Sequence, residues 1–278
     1  MGMIPLKSYQ MVRIGPMTNE TLIISAPDFY TFWSDMGRFQ HYALEMVEKN
    51  FLRKHRSSTI FPLYIKNGSS VQISFLSYWI NKHGTSVAMK LTIRDKSGHV
   101  SEQSWMPILE LKAFNIPIMA SALNRFRDEG FVGSVEVEIY SKSPPRFTFP
   151  ALTLIYQNAK SLSAVHSCIR TYNDDEICND YALNFPQTGF DLSISKQQLN
   201  YFCFIGGGKE NYSLTLTLRI GDSVIEKAIY IAESRYGKLH NIIIEDVLEL
   251  GELAGEGKLS IEHDLDIFPR FYAGIITN

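Results

Sequence analysis

Pro145-Arg146-Phe147 returns as Pro269-Arg270-Phe271, and the return belongs to a longer echo that constrains the fold more than any other feature of this chain. A repeated segment must bury equivalent faces twice, so self-similarity is read before local propensity. The register is nearly constant: Arg146 plus 124 is Arg270, and Gly133 plus 124 is Gly257. The alternating series Val135, Val137, Ile139 falls on Leu259, Ile261, His263, with only the last position changing character. Upstream, VAMKLTIR (Val87 to Arg94) matches YSLTLTLR (Tyr212 to Arg219), with Arg94 plus 125 giving Arg219. One residue is therefore lost between the two matches, and the turns Asp95-Lys96-Ser97-Gly98 and Ile220-Gly221-Asp222 stay in register. Ser74 to Ile80 (SFLSYWI) is matched with Gln198 to Phe204 (QLNYFCF), each ahead of a Gly-containing turn.

Segments of this length, alternating with period two between turn residues, are expected as antiparallel strands with one buried face. The expected fold is mainly β: two tandem antiparallel β-sandwich-like repeats, each near the size of a sandwich domain, with one long N-terminal amphipathic helix. The expected divisions are 1–57 for N-terminal strands and helix, 58–156 for the first repeat, 157–186 for a hairpin and linker, and 187–278 for the second repeat. The runs Ala120 to Arg127 and Glu245 to Ala254 are expected as short helical crossings at the sandwich ends.

The helix follows a strand-like TLIIS at 21–25 that is placed to close the last edge of the second repeat. Ser25 stands three residues before Asp28, a capping-box-like start, with Pro27 tolerated in the first turn. Phe29, Phe32, Trp33, Met36, Phe39, Ala43, Met46, Val47 and Phe51 then recur at spacings that form one apolar stripe, expected to pack on sheet. Arg53-Lys54-His55-Arg56 reads as positive charge at the negative end of the helix dipole, with the chain leaving for solvent.

Composition sets limits on function. With 27 basic and 29 acidic residues, bulk charge gives no reason to expect nucleic acid or an anionic membrane surface as partner. No apolar run nears the roughly 18 residues that a membrane helix needs. The start, MGMIPLKSYQMVRIG, lacks the apolar core of a secretory signal, and Leu6 stands where a myristoylation signal wants Ser or Thr, so the expected location is cytoplasmic. Cys168, Cys178 and Cys203 are an odd set, expected as free thiols, with a Cys168 to Cys178 bridge as the alternative. Glycosylation triplets at Asn19, Asn67 and Asn211 are of the kind that chance supplies.

The stretch without a counterpart in the other copy carries the candidate site. Alternation along Ser163 to Asn173 puts Val165, Ser167, Ile169 and Thr171 on one face and His166, Cys168, Arg170 and Tyr172 on the other. It leads into Asn173-Asp174-Asp175-Glu176. A histidine that titrates near neutrality, a guanidinium fork and a phenol beside Asp174 and Asp175 suit a polar or anionic ligand, and a junction between two repeats is where ligand pockets form. His166, Arg170, Tyr172, Asp174 and Asp175 are therefore the candidate ligand-binding residues. Arg146 and Arg270, kept in both copies, are expected as a structural pair.

No metal site is expected, since no His, Cys or carboxylate spacing fits one. Gly206-Gly207-Gly208-Lys209 lacks the leading glycine and following Ser or Thr of a phosphate loop and reads as a hairpin turn, matched with Asn81-Lys82-His83-Gly84. Nucleophile-elbow, zinc-protease, Cys-x-x-Cys and dinucleotide patterns are missing, and no cofactor is expected. Two function classes follow. The first is a non-catalytic binding or assembly protein with a small polar molecule, a glycan or a protein as partner. The second is a cofactor-independent enzyme using His166 as acid or base, Arg170 as anion clamp, Tyr172 as hydrogen-bond partner and Asp174 or Asp175 as orienter.

Overall fold

The computed structural model describes residues 55–66, 68–84, 86–118, 130–141, 149–159, 161–167, 170–172, 187–265 and 271–277. The described chain is mainly β, with fifteen strands in four antiparallel sheets and two short helices. The long N-terminal helix and its stripe, the 21–25 segment, Ala120 to Arg127, Arg146, Arg270, Cys168, Cys178, Asp174 and Asp175 lie outside the described residues.

The first eight strands are β1 (Arg56–Ile65), β2 (Ser70–Leu76), β3 (Val87–Asp95), β4 (Val100–Ile108), β5 (Ala113–Pro117), β6 (Phe131–Ser141), β7 (Thr153–Gln157) and β8 (Leu162–His166). They form a sheet ordered β1-β6-β3-β4 and a second ordered β5-β2-β7-β8. The remaining strands are β9 (Gln187–Ile194), β10 (Gln198–Ile205), β11 (Tyr212–Ile220), β12 (Ser223–Ile231), β13 (Leu239–Ile243), β14 (Gly255–His263) and β15 (Tyr272–Thr277). They form a third sheet, β9-β14-β11-β12, and a fourth, β13-β10-β15.

The pairing register follows the offsets of the sequence. Leu91 lies opposite Val137 where β3 meets β6, and Leu216 lies opposite Ile261 where β11 meets β14, with 91 plus 125 giving 216 and 137 plus 124 giving 261. Gly133 and Gly257 hold equivalent close approaches of backbone. A Cβ on Gly133 would stand 2.0 Å from the Arg94 carbonyl oxygen, and one on Gly257 would stand 3.0 Å from that of Arg219. A side chain at either place would push neighbouring strands apart.

Each pair of sheets encloses a core. Ile73, Val87, Met89, Val135, Val137, Ile139 and Leu154 fill the first; Phe202, Phe204, Leu214, Leu216, Leu259 and Ile261 fill the second. The two pairs also touch. Cys203, Ile205, Leu239 and Tyr272 pack with the first core, the Tyr272 hydroxyl donates to the Ile60 carbonyl at 2.6 Å, and the Tyr64 and Tyr201 rings meet edge-on at 6.4 Å.

Two local readings change. Helix α1 (Tyr78–His83) stands where the Asn81-Lys82-His83-Gly84 hairpin turn is expected, closed by Gly84 at φ 59°. β2 and β3 belong to different sheets, so their link must cross between layers, and one helical turn spans that gap. SFLSYWI therefore runs from strand into helix, whereas QLNYFCF is strand throughout. In the Glu245 to Ala254 run, α2 is a single turn, Ile244–Val247.

Candidate functional site

The alternation that buries Val135, Val137 and Ile139 on one face of β6 turns Ser134, Glu136, Glu138 and Tyr140 to the other. That outer face is also covered: Glu136 is 1% exposed and Glu138 3%. Across the sheet, Glu138 lies opposite Ser58 of β1 and Lys90 of β3, and Lys90 opposite Trp105 of β4. Two residues along, Glu136 lies opposite Ile60 and Thr92.

Arg56 joins the two carboxylates. Its Nη2 donates to Glu136 Oε1 at 2.6 Å and its Nε to Glu138 Oε1 at 2.8 Å, with the arginine itself fully buried. Lys90 Nζ meets Glu138 Oε2 at 3.0 Å, and Arg94 Nη1 meets Glu136 Oε2 at 2.8 Å. Two phenols complete the acceptors: Tyr140 donates to Glu138 at 2.9 Å and Tyr236 to Glu136 at 2.5 Å. Three cations against two carboxylates leave one positive charge in this group. Burial pushes the Glu138 carboxyl upward, but Arg56 and Lys90 outweigh it and hold the group at about 2. Burial, reinforced by Glu138 and Glu136 respectively, raises the Tyr140 and Tyr236 hydroxyls well above the ordinary range. Both phenols therefore stay protonated and donate.

Tyr236 comes from the second pair of sheets, on the 232–238 segment between β12 and β13. The Arg94 guanidinium lies 5.1 Å over its ring, the Ser134 hydroxyl donates to the Gly237 carbonyl at 2.8 Å, and Arg235 Nη1 stands 2.7 Å from His99 Nε2. Gly237, at φ 80°, brings its α-carbon against the Arg94 side chain, where an added Cβ would lie 2.3 Å from Cδ. Opposite, Gly98 lets the Lys238 amide come within 2.9 Å of where its Cβ would be. The segment is held from behind by the triglycine: Gly206 N donates to Lys238 O, Gly237 N to Gly206 O, and Gly207 N to the Tyr212 hydroxyl. Those amides are occupied within the fold. At its base the Ser234 hydroxyl and His240 Nε2 are 2.8 Å apart, both buried, with the imidazole stacked on Phe204 at 4.9 Å. Burial and then Lys238 lower His240 to about 4, so its ring is neutral near pH 7 and serves as a hydrogen-bonded brace.

Of the sequence-derived candidates, His166, Arg170 and Tyr172 are among the described residues. His166 ends β8 opposite Thr153 and is exposed. The strand stops there instead of running to Asn173, because its partner β7 begins at Thr153 and Ser167 turns inward, its hydroxyl bonding Pro150 O and accepting from Leu152 N. The expected parity persists past the strand, with Ser167 and Thr171 buried and Arg170 and Tyr172 half-buried. Arg170 and Tyr172 are brought together, the guanidinium 4.7 Å from the ring centre. Between them Thr171 joins the charged face: its amide donates to Ser58 O at 3.0 Å, and its carbonyl accepts from Arg56 Nη1 at 3.3 Å and from the Ser58 hydroxyl.

The reading of Arg53-Lys54-His55-Arg56 is corrected at its end. Arg56 is buried on two carboxylates and His55 is buried with Nδ1 3.3 Å from Ser141 O, because each lies opposite the end of β6 and not in solvent. The missed residues Lys90, Arg94, Glu136 and Glu138 left one signal, cations and carboxylates alternating along β3 and β6 with a mainly apolar row, whereas Arg56 left none, since Ser57 and Thr59 stand on the other face of β1. Cys203 is buried, and burial, opposed in part by a hydrogen bond with Tyr64, pushes its thiol up to about 12, far from a reactive thiolate. Among the described residues no group of three or more His, Cys, Asp and Glu side chains is gathered as a metal site, and no helix is long and apolar enough to cross a membrane. No protein-family model matches the chain, and no curated protein matches it either.

Proposed function

We propose that this chain is a non-catalytic binding or assembly protein, in which two tandem β-sandwich repeats are joined as one rigid scaffold for a glycan, a protein or a small polar molecule. The repeat reading is supported by the equal strand orders, β1-β6-β3-β4 beside β9-β14-β11-β12 and β5-β2-β7 beside β13-β10-β15. The observation that carries the scaffold reading is Tyr236 on Glu136. The second unit donates its phenol to a buried carboxylate of the first, inside a cluster whose acids are already paired. Groups with chemical potential are engaged in holding geometry. A buried ion network of this kind contributes orientation more than net stability, since apolar residues of similar volume do as well energetically.

Within the scaffold, the Arg170 and Tyr172 pair is the proposed ligand contact, with His166, Asp174 and Asp175 as its polar neighbours. A guanidinium resting on a phenol ring offers a planar cation beside an aromatic face, a combination suited to an anion or a sugar. The test is Arg170→Ala against wild type, measured for melting temperature and for binding to a panel of sugars, nucleotides, carboxylates and candidate proteins. Loss of a wild-type interaction with little change in melting temperature is the expected result. A large fall in melting temperature without a binding phenotype would remove this site, and turnover of a panel member by wild type, abolished in His166→Ala, would replace the binding reading with the enzyme.

A further inference from the structure

The second repeat shows how much of the first sheet's outer face the fold itself requires. At the Glu138 end of that sheet, Trp105 of the edge strand β4 lies opposite Lys90, and Lys90 opposite Glu138. The Lys90 ammonium stands 5.6 Å from the Trp105 ring centre and 3.0 Å from Glu138 Oε2. The Tyr140 ring is 5.4 Å from that of Trp105 at a tilt of 40°, and its hydroxyl donates to Glu138 Oε1 at 2.9 Å. The repeat offsets carry Lys90 to Thr215, Glu138 to Glu262 and Tyr140 to Asp264, and the residue opposite Thr215 is Ala228. The same strands therefore pair in the same order with neither a cation nor an aromatic ring at these positions. Ala228 is exposed and Trp105 and Tyr140 are half-buried, so this corner reaches the surface in both copies. Tryptophan and tyrosine that meet water, at positions where the equivalent sheet does without them, point to a contact surface.

Charge narrows the occupant. The three cations Arg56, Lys90 and Arg94 face the two carboxylates Glu136 and Glu138, and Lys90 is the most accessible of these side chains, 20% exposed against 11% for Arg94 and 4% or less for the others. The surplus positive charge is thus presented beside the two rings. The guanidinium forks of Arg56 and Arg94 are directed at the carboxylates, so the outermost cation is a compact ammonium with three donors, one of them directed at Glu138. A point charge of that kind matches one carboxylate, whereas phosphate groups are commonly gripped by arginine forks or by nests of backbone amides. The rings are tilted, not parallel, and form no slot for a flat base between them. We propose that Trp105, Tyr140 and Lys90 form a subsite for an acidic sugar, with the C–H face of a uronate ring against the aromatic pair and its carboxylate on Lys90. This rests on the binding reading above and names a ligand class for it, through residues distinct from Arg170 and Tyr172.

The full chain is titrated with tetragalacturonate, tetramannuronate and a hyaluronan tetrasaccharide, following tryptophan fluorescence and the heat of binding. Saturable binding of at least one is expected, with a fluorescence change that Trp105→Phe removes. Lys90→Gln should weaken it by about tenfold or more, the loss of one hydrogen bond between charged groups. The methyl ester of the same oligosaccharide, which keeps the sugar rings and loses the charge, should bind wild type as weakly, and this arm needs no variant to fold. Melting temperatures of both variants accompany the titrations. Silence of the wild type toward all three sugars overturns the proposal and leaves the binding reading to its wider panel. Equal affinity for acid and ester overturns it too, as does unchanged binding in folded Trp105→Phe and Lys90→Gln, or tighter binding of AMP or a tetraglutamate peptide than of any acidic sugar. Arg170→Ala separates the two sites: sugar binding lost in that variant alone removes the Trp105 subsite and keeps the Arg170 contact, and sugar binding lost only in the Trp105 and Lys90 variants does the reverse.

Discussion

The first sheet, β1-β6-β3-β4, and the third, β9-β14-β11-β12, run in the same order and register, yet their outer faces meet opposite fates. Glu136 and Glu138 of β6 correspond by offset to Ser260 and Glu262 of β14, and Lys90 and Arg94 of β3 to Thr215 and Arg219 of β11. In the first sheet Glu136 and Glu138 are buried, Lys90 and Arg94 half-buried, and all four cross-paired; in the third, Glu262 and Arg219 are exposed and Ser260 and Thr215 half-exposed. The lesson is that strand pattern sets which residues face outward, while what packs on that face decides whether their charge is solvated or must be matched. A charge removed from water needs a partner, and one left in water contributes little.

The widest separation between the two sheets should come from arginine. Arg56→Ala leaves two buried carboxylates short of their shared cation and should lower stability by about 3–5 kcal/mol, whereas Arg219→Ala should change it by about 0.5 kcal/mol or less. Urea denaturation of both variants measures this, and similar losses would show that the two faces are energetically alike.

Acid should act next, and in sequence. His240 has a folded pKa of about 4 against an ordinary 6.5, so its contribution is complete above 6.5 and is lost as pH falls toward 4. Glu138 has a folded pKa of about 2 against an ordinary 4.5, so its contribution is complete above 4.5 and is lost as pH falls toward 2. The second pair of sheets should therefore soften before the first. Segment-resolved hydrogen exchange from pH 7 downward should show β13 loosening ahead of β6, and His240→Gln should flatten the upper part of the profile.

Tyr236→Phe removes the hydroxyl that spans the two units without removing the ring under Arg94. A hydrogen bond to a charged acceptor contributes about 1.5–3 kcal/mol, so calorimetry should show a loss of that size and a single unfolding transition broadening toward two. An unchanged, single transition would mean that the remaining contacts, around Tyr272 and from Ser134 to Gly237, couple the units without the Tyr236 hydroxyl. The smallest difference concerns two equivalent turns. Gly98 and Gly221 both have positive φ, 86° and 56°, but Gly98 faces the docked Lys238 backbone and Gly221 faces open space. Each change to alanine should cost about 1 kcal/mol for the backbone, with Gly98→Ala costing about 1 kcal/mol more where 237–238 must move. Equal melting temperatures for the two variants would place the 232–238 segment away from that turn in solution.

Legibility followed the physics of each element. Period-two alternation in β3, β6, β11 and β14 is a property of the strand itself, so VAMKLTIR and YSLTLTLR disclose strands and their inward faces without any knowledge of neighbours. The end of β8 was not legible, because it depends on where β7 begins and on an inward Ser167. The parity of His166, Arg170 and Tyr172 against Ser167 and Thr171 was readable, and the stacking of Arg170 on Tyr172 was not, since it needs the chain beyond the strand.

By itself the sequence determined a mainly β chain and the inward apolar rows of its paired strands, because these follow from neighbours a fixed number of residues apart. Only the tertiary structure decided that Arg56 is buried and not solvated, that a triglycine serves as a rear support for 232–238, and that Tyr236 reaches Glu136 from the other pair of sheets. The first and third depend on contacts between residues 80 to 100 positions apart in the chain, and the second on contacts 31 and 32 positions apart. Burial raises the energy of an unmatched charge by several kcal/mol, and alternation along a strand carries no record of which outer face another segment will cover.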